Sequence, residues 1–400
     1  MSVLWPGAHR VDGVCTDAAV VRAMCQVEDA WLRVLADTGV APAHVPAAGL
    51  VGPDDVADLA RAGEAGGNAV IPLVKLLRER LRAAGDDAAA DWLHRGLTSQ
   101  DVLDTALMLC ARDAVAGIGG QLRQHVTALA GLAVEHRGTP MVARTLTQPA
   151  VPTTFGAKVA SWLDGVLDAA EAVAALTFPV QLGGAAGTLS GLVELAGVDR
   201  ARRCRRDFPA TLGLSESAPW HTRRGPVTRL GDAAVTATDS WGRIANDVLV
   251  LGRPEIGELA EGQGGGSSTM PHKSNPVMSV LIRRAALAGP PLAATLHTAA
   301  AEQIDERADG GWHLEWDTLA TLLRRTAVAA EHTTVLLRDL RVDPHRMGIR
   351  LAEMDTELRA EQRTLAALAG RDAEPAYTGL IDDLVEQTVA RAHRHLEEIS

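Results

Sequence analysis

The residues most suited to chemistry lie in GQGGGSSTMPHKSNPVMS, residues 262–279. Successive glycine amides can form an anion-binding nest. A Walker phosphate loop is excluded, however, because the lysine follows the first serine by six residues with a proline between them. A glycine–serine run is also typical of a flexible surface loop. Since Pro271 and Pro276 stiffen the chain around Lys273 and Asn275, we expect a segment mobile at one end and fixed at the other, as in a lid.

A second polar segment, HRGLTSQDVLDT at residues 94–105, stands just ahead of a long predicted helix. Ser99 could simply cap that helix, with Asp101 or Asp104 placed near its dipole. The same helix N-terminus, with spare amides and the hydroxyls of Thr98 and Ser99, could instead receive a carboxylate. The residues alone leave both interpretations open.

Two later loops, at residues 139–154 and 215–225, also carry polar residues that could hold an anion. Each is broken by proline and precedes a predicted helix. An arginine in a loop is more often a solvated charge than a ligand, so each signal alone is weak. Together they gain weight, because all of them stand at the mouths of consecutive long helices. The candidate residues are Arg144, Thr145, Gln148, His221 and Arg224.

Long amphipathic helices must position these loops. Apolar residues recur at steps of three and four, for example at Val20, Met24, Val27 and Trp31, and strand-like alternation is nearly absent apart from a weak candidate at residues 177–182. Five long helices joined by irregular segments predict a bundle in the middle of an all-α chain. The predicted helices span residues 17–39, 53–62, 69–84, 101–136, 155–176, 226–251, 277–301 and 314–338.

Composition narrows the class of protein. The formal net charge of −11 and the lack of a long Lys/Arg block argue against a nucleic-acid partner. With 47% hydrophobic but only 3% aromatic residues, helices packed through Ala, Leu and Val are favoured. The cysteines are too scattered for a zinc site or a disulfide framework. Without a signal-like N-terminus or a stretch of 18 uninterrupted apolar residues, we expect a cytoplasmic protein that binds no membrane.

The loop GGGSSTMPHKSNP resembles the signature of the fumarase/aspartase superfamily, whose common form is Gly-Ser-Ser-x-Met-Pro-x-Lys-x-Asn-Pro. HRGLTSQDVLDTAL and RTLTQPAVPTTFG are similar to the first and second regions of that superfamily. PVQLGGAAGTL, PWHTRRG and DERADGGWHLEW look most like the bacterial 3-carboxy-cis,cis-muconate cycloisomerases. The resemblance therefore covers essentially the whole chain.

This resemblance implies an almost all-helical subunit of three domains, whose central long helices form a twenty-helix core in a homotetramer. The domains would span residues 1–110, 111–354 and 355–400, the last being short for the superfamily. Each active site would be built from three subunits. Polar loops far apart in one chain then need not meet within that chain.

The resemblance also implies roles for individual residues. Ser267 matches the catalytic base, and Lys273 would act beside it as a catalytic residue. The expected ligand is a small dicarboxylate or tricarboxylate, and no metal or organic cofactor is implied. The implied substrate-binding residues are Thr98, Ser99, Arg144, Thr145, Gln148, His221, Arg224, Ser268, Met270 and Asn275.

Members of this superfamily take a proton from a carbon next to a carboxylate, which leaves an aci-carboxylate with two negative charges on one group. Lys273, Asn275 and loop amides could stabilise that charge, and they could make Ser267 basic once closure expels water. The implied reaction is the cycloisomerase one. A carboxylate of 3-carboxy-cis,cis-muconate adds across the conjugated double bond, the serine protonates the resulting carbanion, and 4-carboxymuconolactone is formed.

Four residues depart from the patterns of these proteins. Leu146 stands where lyases that release an amine or water often carry a histidine to protonate the leaving group, so a leaving group that needs an acid is disfavoured. Arg95, Arg223 and Ser274 differ from the cycloisomerase pattern and change the charge near the expected pocket. One alternative is therefore a carbon–nitrogen lyase that expels nitrite or an amine from a succinate-type substrate to give fumarate. A non-catalytic structural protein on the same scaffold is a less favoured one.

Overall fold

The computed structural model describes residues 3–47, 49–262, 265–266, 270, 274–307 and 309–398. Within these residues the chain is mostly helical, and the strands form two small antiparallel sheets. The helices are α1 (Asp17–Asp37), α2 (Val56–Gly66), α3 (Val70–Ala83), α4 (Asp87–Trp92), α5 (Ser99–Glu135), α6 (Phe155–Ala174), α7 (Ser190–Ala196), α8 (Val198–Leu212), α9 (Gly225–Leu251), α10 (Val277–Ala301), α11 (Gly310–Asp339), α12 (Pro344–Leu358), α13 (Ala360–Leu368) and α14 (Ile381–Glu398). The strands are β1 (Pro140–Thr145), β2 (Gln148–Thr154), β3 (Leu259–Ala260) and β4 (Arg341–Val342).

The predicted helices are confirmed, with ends that differ from the prediction by at most four residues. α10 has the predicted bounds, because its apolar run starts directly after Pro276. The start of α1 is fixed by Thr16, whose hydroxyl accepts a hydrogen bond from the N–H of Ala19 at 3.2 Å. The chain leaves this helix through Gly39, which has a φ of +69°.

The predicted loop at residues 139–154 is wrong, because these residues form the hairpin of β1 and β2. The strands pair from Pro140 with Thr154 to Thr145 with Gln148, with one register irregularity on the way. The two turn residues that follow Thr145 have φ values of +48° and +71°. Such two-residue turns normally use Asn or Gly, so leucine and threonine at these places give no turn signal. The weak strand candidate at residues 177–182 is a single parallel bridge to Ser215.

The chain divides into two compact units, each with its own aromatic core. In the first unit, Trp31 and Phe208 meet edge to face with ring centroids 5.1 Å apart, and in the second unit Phe155 meets Trp162 at 5.7 Å. The expected division into three domains stays a prediction. The first unit comprises Met1–Gly117, Ala175–Ala234 and Pro290–Ala327, and the second comprises Ile118–Ala174, Val235–Gly289 and Val328–Ser400.

α10 has an apolar surface that its own chain leaves mostly uncovered. Among the described residues it is the one helix long and apolar enough, by length and composition, to cross a membrane. Only 28% of its most apolar window is buried, and Val280 and Leu287 are 52% and 67% exposed. An apolar surface of this kind is typical of a contact with another protein or with lipid.

Candidate active site

The carboxylate of Asp101 joins three separate segments of the first unit. Its Oδ1 accepts hydrogen bonds from the backbone N–H of Gly183 and from Nε2 of His221, both at 2.9 Å. Its Oδ2 accepts from the N–H of Thr98 at 3.0 Å and from the N–H of Gly184 at 2.9 Å. Asp101 has no exposed surface. Asp101 and these four donors are named the Asp101 hub.

The hub follows from local backbone preferences. α5 begins at Ser99, so Thr98 rather than Ser99 precedes the first helical residue. Asp101 then lies in the first turn, where the positive end of the helix dipole favours a carboxylate. Its side chain reaches back to the N–H of Thr98, as the acid of a capping box does. Gly184 has a φ of +67°, which glycine adopts without strain.

His221 is held on both its ring and its backbone. A Cβ at Gly183 would lie 2.6 Å from Cε1 of His221, so the ring packs directly on a glycine backbone. The carbonyl of His221 accepts from Nε2 of Gln100 at 2.9 Å. Because the carboxylate of Asp101 can only accept, Nε2 of His221 carries the proton in their contact. Nδ1 of His221 is buried and has no hydrogen-bond partner among the described residues.

A buried ion-pair network adjoins the hub. Arg224 donates from Nη1 and Nη2 to the two oxygens of Asp104 at 2.8 and 2.9 Å. It also donates from Nε and Nη2 to Oε2 of Glu315 at 3.0 and 2.6 Å. Trp312 and Gln181 give Asp104 two further N–H donors, at 2.9 and 3.1 Å. The three charged side chains are at most 1% exposed, so water does not screen their attraction.

The sequence predicts Arg224 as a substrate ligand, and the contacts above show which of its nitrogens are already paired with protein groups. All three guanidinium nitrogens already donate to protein oxygens, and Nη1 also reaches the carbonyls of Trp220 and His221 at 3.3 and 3.4 Å. Burial acts to lower the pKa of Arg224, but Asp104 and Glu315 outweigh it and the pKa is raised. The geometry therefore fits a residue that fixes the backbone of His221. A direct contact with substrate stays a prediction.

A further buried acid lies beside His94. Glu28 of α1 is fully buried, and its Oε1 lies 2.6 Å from Nδ1 of His94. Burial acts to lower the pKa of His94, but the Glu28 carboxylate raises it by a larger amount, so the pKa is raised overall. His94 has a φ of +64°, uncommon for a residue other than glycine. Sequence reasoning missed this pair, although a glutamate within the apolar stripe of α1 is a signal that could have found it.

In the second unit, the β1–β2 hairpin carries Arg144 near its tip. Arg144 donates from Nη2 and Nη1 to the fully buried carboxylate of Glu258 at 3.0 and 3.2 Å. Thr145 and Gln148 pair across the tip. Leu146, the first turn residue, is 96% exposed. The two positive φ angles of the turn cost roughly 1–3 kcal/mol each, and such strain clusters at functional segments.

The ends of the glycine–serine loop are joined to each other. The N–H of Gly265 donates to the carbonyl of Asn275 at 2.8 Å, and the N–H of Asn275 donates back at 2.9 Å. Glu261 accepts from the N–H groups of Met278 and Ser279 at 3.1 and 2.7 Å, which fixes the start of α10. The loop therefore leaves and rejoins the second unit at a fixed base.

The structure groups the predicted site residues by unit. Thr98, Ser99, His221 and Arg224 belong to the first unit, and Arg144, Thr145, Gln148, Met270 and Asn275 belong to the second. Ser267, Ser268 and Lys273 lie outside the described residues, so their roles stay predictions. Buried polar residues that sequence reasoning missed include Glu28, Gln181, Glu258 and Glu315, which take part in the contacts above. Among the described residues, no group of three or more His, Cys, Asp and Glu side chains is arranged to hold a metal ion.

Comparisons with known proteins agree with this architecture. The model of a protein family described as lyase matches residues 59–288. The nitrosuccinate lyase of Streptomyces davaonensis is 41% identical over 96% of this chain and 86% of its own length. The 3-carboxy-cis,cis-muconate cycloisomerase of Bradyrhizobium diazoefficiens is 38% identical over the same shares.

The fold of this chain is also similar to that of solved protein structures. The 3-carboxy-cis,cis-muconate lactonizing enzyme of Pseudomonas putida has a TM-score of 0.82 at 28% identity, over 98% of this chain and 97% of that one. A fumarate lyase from Mesorhizobium sp. BNC1 has a TM-score of 0.78 at 29% identity, over 96% of this chain and 86% of that one. The predicted all-α fold and the superfamily resemblance are confirmed.

Replacing His94 by Asn, which tolerates a positive φ, should lower stability in a pH-dependent way. Because the folded-state pKa of His94 is raised, its pairing with Glu28 stabilises fully below the ordinary histidine value of about 6.5. That contribution is lost as the pH rises through the folded-state pKa. We expect His94→Asn to lose roughly 1.5–3 kcal/mol of unfolding free energy at acidic pH and less at alkaline pH.

Urea unfolding of the wild type and of His94→Asn, at one acidic and one alkaline pH, measures the loss of unfolding free energy at each pH. His297→Asn is the control, because His297 and its partner Asp232 are 54% and 57% exposed and their pair should contribute little. A loss for His94→Asn that is equal at both pH values would contradict the assigned ion pair.

Proposed function

The chain belongs to the lyase family of the fumarase/aspartase superfamily, and we propose that this enzyme eliminates an anionic leaving group from a succinate-type dicarboxylate. Ser267 takes a proton from the carbon next to one carboxylate. The electron pair of that C–H bond first forms the aci-carboxylate and then becomes the new carbon–carbon double bond. The neighbouring carbon releases the leaving group with its own bonding pair, and the product is fumarate.

The observation that carries this proposal is the apolar side chain at the tip of the β1–β2 hairpin. Leu146 stands where superfamily members that release an amine or water often carry a histidine. It is 96% exposed at a strained turn, so the tip offers its side chain to another molecule and gives no acid. An amine or hydroxide needs a proton to leave. A leaving group that is already a stable anion does not.

Nitrite is the leaving group that we favour. It departs as a stable anion when the C–N bond of nitrosuccinate breaks, and the 41% identity with a nitrosuccinate lyase supports it. Arg95, Arg223 and Ser274 depart from the cycloisomerase pattern, which also favours a different substrate. Arg95 is exposed, and its Nε donates to the carbonyl of Asp91 at 2.7 Å, so its other nitrogens stay available to an anion.

Substrate binding in this proposal depends on several donors. The two carboxylates and the aci-carboxylate intermediate need several preorganised N–H and O–H donors, and Lys273 stabilises the alkoxide of Ser267. The residues assigned to substrate binding are Thr98, Ser99, Arg144, Thr145, Gln148, His221, Ser268, Met270 and Asn275.

Closure of 3-carboxy-cis,cis-muconate to a lactone is the second candidate. It also needs no acid at Leu146, because a carboxylate is the group that adds or leaves. The TM-score of 0.82 with a lactonizing enzyme and the 38% identity with a cycloisomerase favour it.

We propose a cytoplasmic homotetramer, in which each active site uses residues of three subunits. The support is the apolar surface of α10, which its own chain leaves largely uncovered and which a second copy would bury. The net charge of −11 disfavours nucleic acid as a partner.

The purified protein should convert 2-nitrosuccinate to nitrite and fumarate in equal amounts. Nitrite is followed by diazo colour formation and fumarate by its ultraviolet absorbance, and 3-carboxy-cis,cis-muconate is assayed in parallel. Ser267→Ala should lower kcat by roughly 10²-fold or more. Turnover of carboxymuconate alone would move the function to the second candidate. A wild-type rate for Ser267→Ala would remove the serine from its role as base.

A charge on the exposed face of α10 should break the assembly. Light scattering should give the wild type about four times the 42.1 kDa of one chain and Leu287→Glu a smaller mass, because a glutamate would be buried without a partner. Leu368→Glu is the control, since Leu368 is 84% exposed on α13 and its replacement should leave the mass unchanged. A monomeric wild-type protein would contradict the shared active site.

A further inference from the structure

We propose that Asp101 is the positioning residue of the substrate site and that it acts through Nδ1 of His221, which donates to a substrate carboxylate. This inference rests on the proposed function, since it names the atom that binds one carboxylate of the substrate. Asp101 itself touches no substrate in this proposal, because hydrogen bonds from protein donors surround its carboxylate.

The first support is the set of partners that Asp101 brings together. It binds Thr98, whose segment is predicted to receive a carboxylate, and it binds the ring of His221 with its other oxygen. The N–H groups of Gly183 and Gly184 complete the shell at 2.9 Å each. One fully buried carboxylate thus places two predicted substrate-binding residues in a fixed relation.

The second support is that the position of the ring is set without Nδ1. Gln100 and Arg224 hold the carbonyl of His221 at 2.9 and 3.4 Å. Gln181 accepts from the N–H of Trp220 at 2.8 Å, and Asp101 holds Nε2. Nδ1 is buried without a partner among the described residues. Because an unpaired buried polar atom is costly, the state of Nδ1 points to a ligand.

The third support is the chemistry of the Asp–His pair. When both ring nitrogens are protonated, Nε2–H remains with Asp101 and Nδ1–H becomes a charge-assisted donor. A carboxylate then binds on the side of the ring opposite to Asp101. Asp101 contacts the ring itself, and Arg224, which reaches the carbonyl of His221, is paired with Asp104 and Glu315.

Two replacements of His221 separate this role from a purely structural one. In His221→Gln the terminal NH₂ lies near the place of Nε2 and can still donate to Asp101, but nothing replaces Nδ1. We expect this variant to keep a thermal midpoint near that of the wild type, while its KM for the substrate rises roughly 10–100-fold. In His221→Asn the amide lies near the place of Nδ1 and the contact with Asp101 is lost. We therefore expect KM to rise and the thermal midpoint to fall.

Asp101→Asn tests the positioning residue itself. An amide group cannot accept from all four donors, so the ring and the segment of Thr98 should lose their fixed relation and KM should rise as in His221→Gln. Asp113→Asn is the matched control, because it removes an exposed carboxylate from the same helix α5 and should behave as the wild type.

Calorimetric binding of fumarate, with the KM values, distinguishes the outcomes. Tight binding by the wild type and weak binding by His221→Gln and Asp101→Asn supports the inference. Equal binding by wild type and His221→Gln would overturn the inference and leave the proposed function standing. Absence of both fumarate binding and nitrite release in the wild type would overturn both.

Discussion

A carboxylate without access to water must be surrounded by donors, and in this protein Asp101 meets that requirement with groups from three segments of the chain. Three backbone N–H groups and one imidazole N–H point at its two oxygens. None of the four donors can move away without leaving a buried charge short of a partner. The start of α5, the turn at Gly183 and Gly184 and the ring of His221 are therefore fixed together.

The arginines predicted to bind anions follow a related rule. Arg224 is paired with Asp104 and Glu315, and Arg144 is paired with Glu258. Removing one partner of such a buried pair typically costs about 3–5 kcal/mol, since the other charge is left uncompensated. Each arginine is thus part of the framework.

The sequence predicts eight of the fourteen helices that the structure describes, and the long ones are predicted best because their apolar stripes are long and their ends carry capping residues or prolines. It gives no bounds for α4, α7, α8, α12, α13 and α14. It fails at the β1–β2 hairpin, where Leu146 and the threonine after it form a turn that most sequences build from Asn and Gly. The motif GGGSSTMPHKSNP names Ser267 and Lys273 as candidates without any structural information. The superfamily assignment was therefore available from the residues alone.

The contacts that hold the site residues in place could not be predicted from the sequence. In the sequence Asp101 looks like an ordinary first-turn acid of α5, since its partners Gly183 and His221 are 82 and 120 residues away. The sequence around Glu258 gives no sign of its burial, and Glu315 lies in the quoted segment DERADGGWHLEW without any sign of its pairing with Arg224. The burial of a charge depends on contacts between residues far apart in the sequence. The motifs contain several of these side chains, but only the fold shows which of them hold the site together.

The most direct measurement is a crystal structure of the inactive Ser267→Ala protein with a bound dicarboxylate. It should place a substrate carboxylate oxygen within hydrogen-bond distance of Nδ1 of His221 and near Thr98, with all four donors still on Asp101. A dicarboxylate bound productively at the loop of Ser267, with Nδ1 of His221 touching no substrate atom, would contradict the account.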